Sequence, residues 1–220
     1  MGRFFYLLIK IVLLLTLPFI LLIRGAVYLY EQYQFNPWVC LGLGMLATAV
    51  LLAIYFSVFY GRLTGRWGES AGGFVARFRR RSFFALLIVL GYSLYGLLYL
   101  SNTNAKAPEV RKEYTSLHPI LRIGISTVVF VDRKLIITDA NRVPEDYRKM
   151  GLKTKKHSLH YRQSSGFVHA VDIRTNGRSE LRNKLLSFYF KLMGLNVLRH
   201  VGTDDHLHIS ISSKDRPGAI

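Results

Sequence analysis

Cysteine and acidic side chains are scarce in this chain. Its single cysteine, Cys40, excludes an intramolecular disulfide and a cluster of thiolate metal ligands. Only 13 of the 220 residues are acidic, against 30 lysines and arginines, and the formal net charge is +17. Half of the residues are nevertheless hydrophobic. A chain that is both so basic and so apolar indicates that the two kinds of residue are separated along the sequence.

Charged residues are almost missing from three long stretches. Residues 38–60 and 82–100 contain none, and residues 4–23 contain only Lys10. About 20 apolar residues are enough for a helix to cross a bilayer. We therefore predict a three-helix transmembrane anchor over residues 1–100. It would contact the lipid bilayer and offer its helices to membrane-protein partners.

The arginines of the anchor are concentrated between its second and third helices. Residues 61–81 contain six arginines and one acid, whereas residues 31–37 contain no lysine or arginine. Basic loops favour the cytoplasmic side of a membrane. This predicts a cytoplasmic N-terminus, and a chain that leaves the cytoplasmic (inner) membrane on its periplasmic or extracellular side after residue 100. Nucleic acid is a poor partner for a domain in that location, although the domain is basic.

All seven histidines follow residue 117. After a linker at 101–114, we predict an α+β domain with an antiparallel sheet over residues 115–212 and a frayed tail at 213–220. Hydrophobic periodicity and turn residues predict its elements. Helices are expected at 109–130 (with a break at 118–119), 145–150 and 179–193, and strands at 134–138, 167–173, 196–200 and 206–212.

The last of these strands predicts the functional site. Side chains alternate along a strand, so His206 and His208 share one face. His160 and Asp172 lie upstream and bring the set to three ligands of the kind that zinc prefers, with one spare imidazole. A single histidine in a basic domain is more often a surface residue than a ligand, so His118 and a further histidine at position 200 are interpreted as surface residues.

Three short motifs resemble those of the zinc D-alanyl-D-alanine carboxypeptidases and murein endopeptidases. They are Ser-x-His at 158–160, Ala-Val-Asp-Ile at 170–173 and His-x-His at 206–208. The segment 137–144 is also similar to the strand of that family that leads to an arginine. The family shares its small α+β fold with lysostaphin-type enzymes and the hedgehog signalling domain.

This resemblance implies a role for each candidate residue. The implied zinc ligands are His160, Asp172 and His208. The implied catalytic groups are His206, as an acid–base imidazole, and Arg142, as the contact for a substrate carboxylate or for the transition-state oxyanion.

The resemblance is incomplete at one point. The stretch between His160 and Asp172 is eleven residues long, five more than the family has, which an insertion within 161–168 would explain. His157 or His169 could then replace His160 as a ligand.

The implied function is that of a membrane-anchored zinc metallopeptidase, which hydrolyses peptidoglycan peptides outside the cytoplasmic membrane. The alternative is a catalytically inactive peptidoglycan-binding module of a larger membrane assembly.

Overall fold

A computed structural model describes residues 2–64, 73–149, 151, 153, 157–202 and 205–219. Its first three helices are α1 (Gly2–Tyr33), α2 (Pro37–Thr64) and α3 (Phe74–Leu98). Each of the three is long and apolar enough to cross a membrane.

Helix α3 begins earlier than the sequence predicted. It starts at Phe74, so the arginines at 77–81 belong to its first turns and not to the loop before it. Arginine is a good helix former, and its charge gives no reason for the helix to stop. The arginines at 77–81 are therefore part of α3 itself.

The two halves of α1 have different surroundings. Side chains from Phe4 to Leu17 are largely exposed and apolar, whereas Leu22, Ile23 and Val27 are buried. The buried half approaches α2 closely at Gly44, where an added Cβ would lie 2.8 Å from the carbonyl oxygen of Leu22. This half also belongs to one continuous hydrophobic core with residues of the C-terminal domain.

The stretch predicted as a linker is folded. It contains a 3-10 turn at Asn102–Asn104, helix α4 (Pro108–Glu113) and a second 3-10 turn at Tyr114–Ser116. The Tyr114 hydroxyl lies 2.6 Å from the carbonyl oxygen of Gly96 and so approaches the open end of α3.

Helix α5 (Pro119–Val131) then packs against the first three helices. The Arg122 guanidinium donates to the carbonyl of Leu97 at 2.7 Å, near the end of α3. Such contacts satisfy carbonyl groups that have no partner within their own helix. The domain is therefore joined to α3 by hydrogen bonds as well as by apolar packing.

Four antiparallel strands form the sheet, in the order β1-β2-β4-β3. They are β1 (Ile137–Asp139), β2 (Ala170–Arg174), β3 (Asn196–His200) and β4 (His206–Ser210). Helix α6 (Pro144–Lys149) lies between β1 and β2 in the chain, and α7 (Glu180–Leu192) lies between β2 and β3. The predicted mixture of helices with a small antiparallel sheet, after three long apolar helices, is confirmed.

The first strand starts later than predicted. Residues 132–135 form a turn, because Asp132 accepts from the backbone amides of Lys134 and Leu135. A strand therefore cannot begin at 134 and is confined to Ile137–Asp139.

The beginning of the predicted frayed tail is ordered, so that prediction is wrong for residues 213–216. Ser213 is buried, and the Lys214 ammonium donates to the carbonyl of Gln34 at 2.7 Å. The Asp215 carboxylate accepts hydrogen bonds from both the backbone and the hydroxyl of Ser164. These contacts attach the tail to the end of α1 and to the loop before β2.

Candidate metal centre

The pairing of β2 with β4 places an acid opposite a histidine. Asp172 lies directly across from His208, and Arg174 lies across from His206. Residues that face each other on antiparallel strands project from the same side of a sheet. The alternation read from the sequence therefore holds, and it brings Asp172 to the face that carries both histidines.

A third group reaches this face from the turns that precede β2. The His160 ring places Nδ1 2.8 Å from the carbonyl oxygen of Ala140, and the Arg142 amide donates to the His160 carbonyl at 3.0 Å. A carbonyl can only accept, so Nδ1 of a neutral His160 carries the proton. Its Nε2 is left with a lone pair, directed at β2 and β4.

Three donor atoms converge here. His160 Nε2 lies 3.2 Å from His208 Nδ1 and 3.3 Å from Asp172 Oδ1, and the last two atoms are 2.9 Å apart. Tetrahedral zinc with bonds of about 2.0–2.1 Å needs its donor atoms about 3.3 Å apart. The three side chains are buried, and the group could hold a metal ion.

The Asp172 carboxylate is held in its ionised form. Burial raises the pKa of Asp172, but the neighbouring His160 and His208 lower it by a larger amount. The resulting pKa lies well below the ordinary value of an aspartate. Arg142 Nη2 donates to Asp172 Oδ2 at 2.7 Å. The arginine therefore occupies one oxygen of the carboxylate and leaves Oδ1 to face the histidines.

Arg142 is itself held between two acids. Its Nε donates to Asp139 Oδ2 at 2.7 Å, and its guanidinium carbon lies 5.4 Å from the centre of the Tyr147 ring. Burial lowers the pKa of Arg142, but Asp139 and Asp172 outweigh it, so the pKa is raised. In this structure Arg142 positions the carboxylate of Asp172, and its contact with a substrate stays a prediction.

The predicted acid–base residue lies at the edge of the group. His206 Nε2 is 3.8 Å from Asp172 Oδ2, and its side chain is 22% exposed. Its ring lies 4.8 Å from the ring of His200, which is exposed on β3 as predicted. His206 is thus near the three donor atoms and open to solvent, and its catalytic role stays a prediction.

The two alternative ligands are placed elsewhere. His157 lies exposed in a turn. His169 directs its ring away from the group, with Nε2 2.8 Å from the Ser165 hydroxyl and Nδ1 3.0 Å from the carbonyl of Ser212. The structure therefore brings together the three residues first predicted, His160 among them.

His118 was interpreted as a surface residue, and this is wrong. It is fully buried, with its ring 4.8 Å from Tyr30 and 4.9 Å from His169. Its amide donates to the carbonyl of Val168, which fixes it beneath the loop before β2. The burial comes from residues far away in the chain, which a local pattern does not reveal.

Two residues of the site were missed by sequence reasoning. Asp139 binds Arg142, and the three-residue spacing between an acid and an arginine after a strand was an available signal. Tyr147 on α6 lies under the Arg142 guanidinium, and its hydroxyl is 2.9 Å from the Ser158 hydroxyl. No feature of the sequence singles out this tyrosine.

Searches with this chain among protein-family models, curated proteins and solved structures find no match. Interpretation of the centre therefore depends on its own geometry and on the three short motifs.

Proposed function

We propose that this protein is a membrane-anchored zinc metallopeptidase that hydrolyses peptidoglycan peptides, of the D-alanyl-D-alanine carboxypeptidase or murein endopeptidase type. The observation that carries the proposal is the buried group of His160, Asp172 and His208, whose donor atoms are 2.9–3.3 Å apart. All three residues belong to motifs that resemble this family. The pairing of β2 with β4 brings Asp172 and His208 together, and the contact with the Ala140 carbonyl holds His160 beside them.

The donor set fits zinc. It consists of two imidazole nitrogens and one carboxylate oxygen, and three protein ligands are the usual number in catalytic zinc sites. Zinc held there would supply Lewis acidity and a water molecule with a pKa lowered to about 7.

The surrounding side chains have roles that follow from their positions. Arg142 keeps the Asp172 carboxylate in one orientation, and the Ala140 carbonyl keeps the proton of His160 on Nδ1. His206 would accept or donate a proton at Nε2 near the reacting peptide bond. The exposed part of the Arg142 guanidinium would attract a substrate carboxylate.

The location proposed for the centre suits this substrate. The arginines at 77–81 lie at the start of α3 and favour a cytoplasmic start of that helix, which supports a location of the domain after Leu98 on the outer side of the cytoplasmic membrane. Peptidoglycan is found on that side, and a basic domain attracts an anionic polymer. A protease-accessibility assay with a C-terminal tag in spheroplasts, in which the outer face of the cytoplasmic membrane is accessible, tests the topology, and a tag protected until the cytoplasmic membrane is lysed would contradict it.

Metal content and peptide cleavage test the proposal together. The full-length chain, purified in detergent and loaded with zinc, is expected to hold one zinc per chain and to release peptides from isolated peptidoglycan. His208→Ala removes a proposed ligand and is expected to abolish both. His157→Ala is the matched control, because His157 is exposed and outside the group. Absence of bound zinc, or cleavage that survives His208→Ala, would overturn the proposal.

A second candidate is a catalytically inactive peptidoglycan-binding module. The observation that favours it is the engagement of Arg142 by both Asp139 and Asp172, which leaves less of the guanidinium for a substrate. Zinc-loaded protein that sediments with peptidoglycan but releases no peptide would support the binding module over the enzyme.

A further inference from the structure

Helix α7 exposes a stripe of large apolar side chains. Leu181, Leu185, Phe188 and Leu192 are 68, 58, 64 and 39% exposed. They follow one another at intervals of four, three and four residues, so they share one side of the helix. The opposite side of α7 is buried in the domain through Asn183, Leu186 and Phe190, so the stripe is a second, outward apolar surface of the helix. An exposed apolar stripe on a helix is typical of a surface that lies in a membrane interface.

The end of α5 exposes apolar side chains beside the first helices. Phe130 and Val131 are 56 and 90% exposed. Phe130 stacks on Tyr92 of α3, with ring centres 5.8 Å apart, and Tyr92 in turn contacts Phe19 of α1 at 5.6 Å. The tip of α5 therefore lies alongside segments of α1 and α3 that are apolar enough to cross a membrane.

A groove of about 830 Å³ separates these surfaces. Its walls come from four helices and are almost entirely apolar. They include Leu15, Thr16 and Phe19 of α1, Val128 of α5, and Leu185 and Tyr189 of α7. The volume is within the range of roughly 300–1,000 Å³ of pockets that bury whole organic ligands.

We propose that this groove holds an acyl chain of an anionic phospholipid, and that α7 lies in the membrane interface with its apolar stripe in the lipid. The α1 wall continues into the exposed apolar surface of Phe4–Leu17, so a chain in the groove remains among the other lipid chains. A phospholipid therefore reaches the groove by lateral movement within one leaflet.

The charge at the rim selects an anionic headgroup. Arg182 lines the groove and is exposed, whereas the rim acid Asp132 is paired with Arg178. The other acid near the start of α7, Glu180, is paired with Arg199. A cation at the surface of a membrane attracts anionic lipid. This proposal does not depend on the metal centre, because none of the three ligands lines the groove.

Photochemical labelling of the full-length chain tests the groove. The protein is reconstituted into phosphatidylethanolamine–phosphatidylglycerol vesicles that contain a phosphatidylglycerol with a diazirine in the middle of one acyl chain. After illumination, mass spectrometry identifies the labelled peptides. Labels are expected on the tip of α5 and on α7, in addition to the exposed half of α1. Labels confined to the first three helices would overturn the proposal.

Filling the groove separates lodged lipid from lipid that merely surrounds the protein. Thr16→Trp places a bulky ring in the groove and is expected to remove most of the label from Tyr189 and Met193, which line the groove, whereas the exposed stripe of α7 keeps its label. Leu13→Trp is the control, since Leu13 is an exposed residue of the same helix outside the groove lining. If Thr16→Trp fails to fold in thermal unfolding, Leu185→Trp fills the groove from α7. Unchanged labelling of the remaining groove residues in the folded variant would contradict occupancy.

A second arm tests the headgroup. A diazirine phosphatidylcholine is compared with the phosphatidylglycerol at the same mole fraction, and the anionic lipid is expected to label α7 more strongly. Arg182→Gln should reduce this preference about fivefold, the factor for one cation at a membrane surface. Lys153→Gln removes an equal charge outside the groove and should preserve the preference. Equal labelling by both lipids would overturn the anionic assignment.

Discussion

Two pairs of buried histidines in this protein have nearly the same geometry and different chemistry. The rings of His160 and His208 lie 5.0 Å apart at 63°, and those of His118 and His169 lie 4.9 Å apart at 69°. Only the first pair shares a carboxylate, that of Asp172. The presence of a carboxylate beside the two rings, and not the contact between the rings, decides whether a histidine pair is suited to bind a cation.

The second pair behaves as part of an aromatic core. Burial, His169 and Arg122 together hold the pKa of His118 well below its ordinary value, and burial also lowers the pKa of His169. Among the described residues, neither ring nitrogen of His118 has a hydrogen-bond partner. The pair is therefore neutral and packs against Tyr30, and its hydrogen-bond partners among the described residues are a hydroxyl and a backbone carbonyl, not a carboxylate.

Removal of the shared carboxylate should have the largest effect. Asp172→Ala leaves the buried side of Arg142 with Asp139 alone, and loss of one partner of a buried ion pair costs roughly 3–5 kcal/mol. We expect a loss of about 3 kcal/mol, because Asp139 remains. Denaturant unfolding of the metal-free full-length chain in detergent measures it. The double variant Asp172→Ala, Arg142→Met should lose less than the sum of the losses of the single variants Asp172→Ala and Arg142→Met, and additive losses would contradict the coupling.

Zinc should stabilise the protein through one pair only. At a free concentration 100 times the dissociation constant, a ligand of the native state adds about 2.7 kcal/mol. His118→Phe is expected to keep the zinc-dependent rise in Tm, whereas His208→Ala should lose it. A rise that persists in His208→Ala, or disappears in His118→Phe, would reverse the assignment of the two pairs.

Acid should destabilise the protein through the pair without a carboxylate. Folding lowers the pKa of His118, so below about pH 6.5 His118 is protonated in the unfolded chain but stays neutral in the folded chain. Stability should therefore fall as pH decreases from about 6.5 towards the folded pKa, by up to about 1.4 kcal/mol per pH unit for each such histidine. His118→Phe should reduce this slope in a series of unfolding curves. His157→Phe, at an exposed site, should leave it unchanged.

The smallest effect is expected at the single side-chain hydrogen bond of the second pair. Ser165→Ala removes the 2.8 Å contact with His169 Nε2 and should cost about 1 kcal/mol. Ser210→Ala is the matched control, because the buried Ser210 hydroxyl has no partner among the described residues and its loss should be neutral or stabilising. Equal costs for the two serines would show that the bond to His169 adds nothing.

Sequence reasoning succeeded where the signal was local. Alternation places His206 and His208 on one face without any knowledge of the fold, and the long uncharged stretches indicate helices. It failed where distant parts of the chain meet. The burial of His118 depends on Tyr30, 88 positions earlier, and the use of Arg142 as a clamp on Asp172 depends on the register of β1 with β2.

Helix α5 shows the same limit. Its apolar residues indicated a helix, but not that the helix would pack against α3 and α1. Periodicity reports which side of an element is covered, and it does not report what covers it.

The end of α1 belongs to the hydrophobic core of the C-terminal domain, so this helix stabilises the domain in addition to anchoring it. Leu22, Ile23 and Val27 fill the interior beneath the sheet-bearing domain. A soluble fragment that begins after Leu98 would therefore expose the apolar surface that these side chains cover. The end of α1 therefore supports the fold of the domain as well as its attachment to the membrane, and exchanging α1 for an unrelated membrane helix should destabilise the domain.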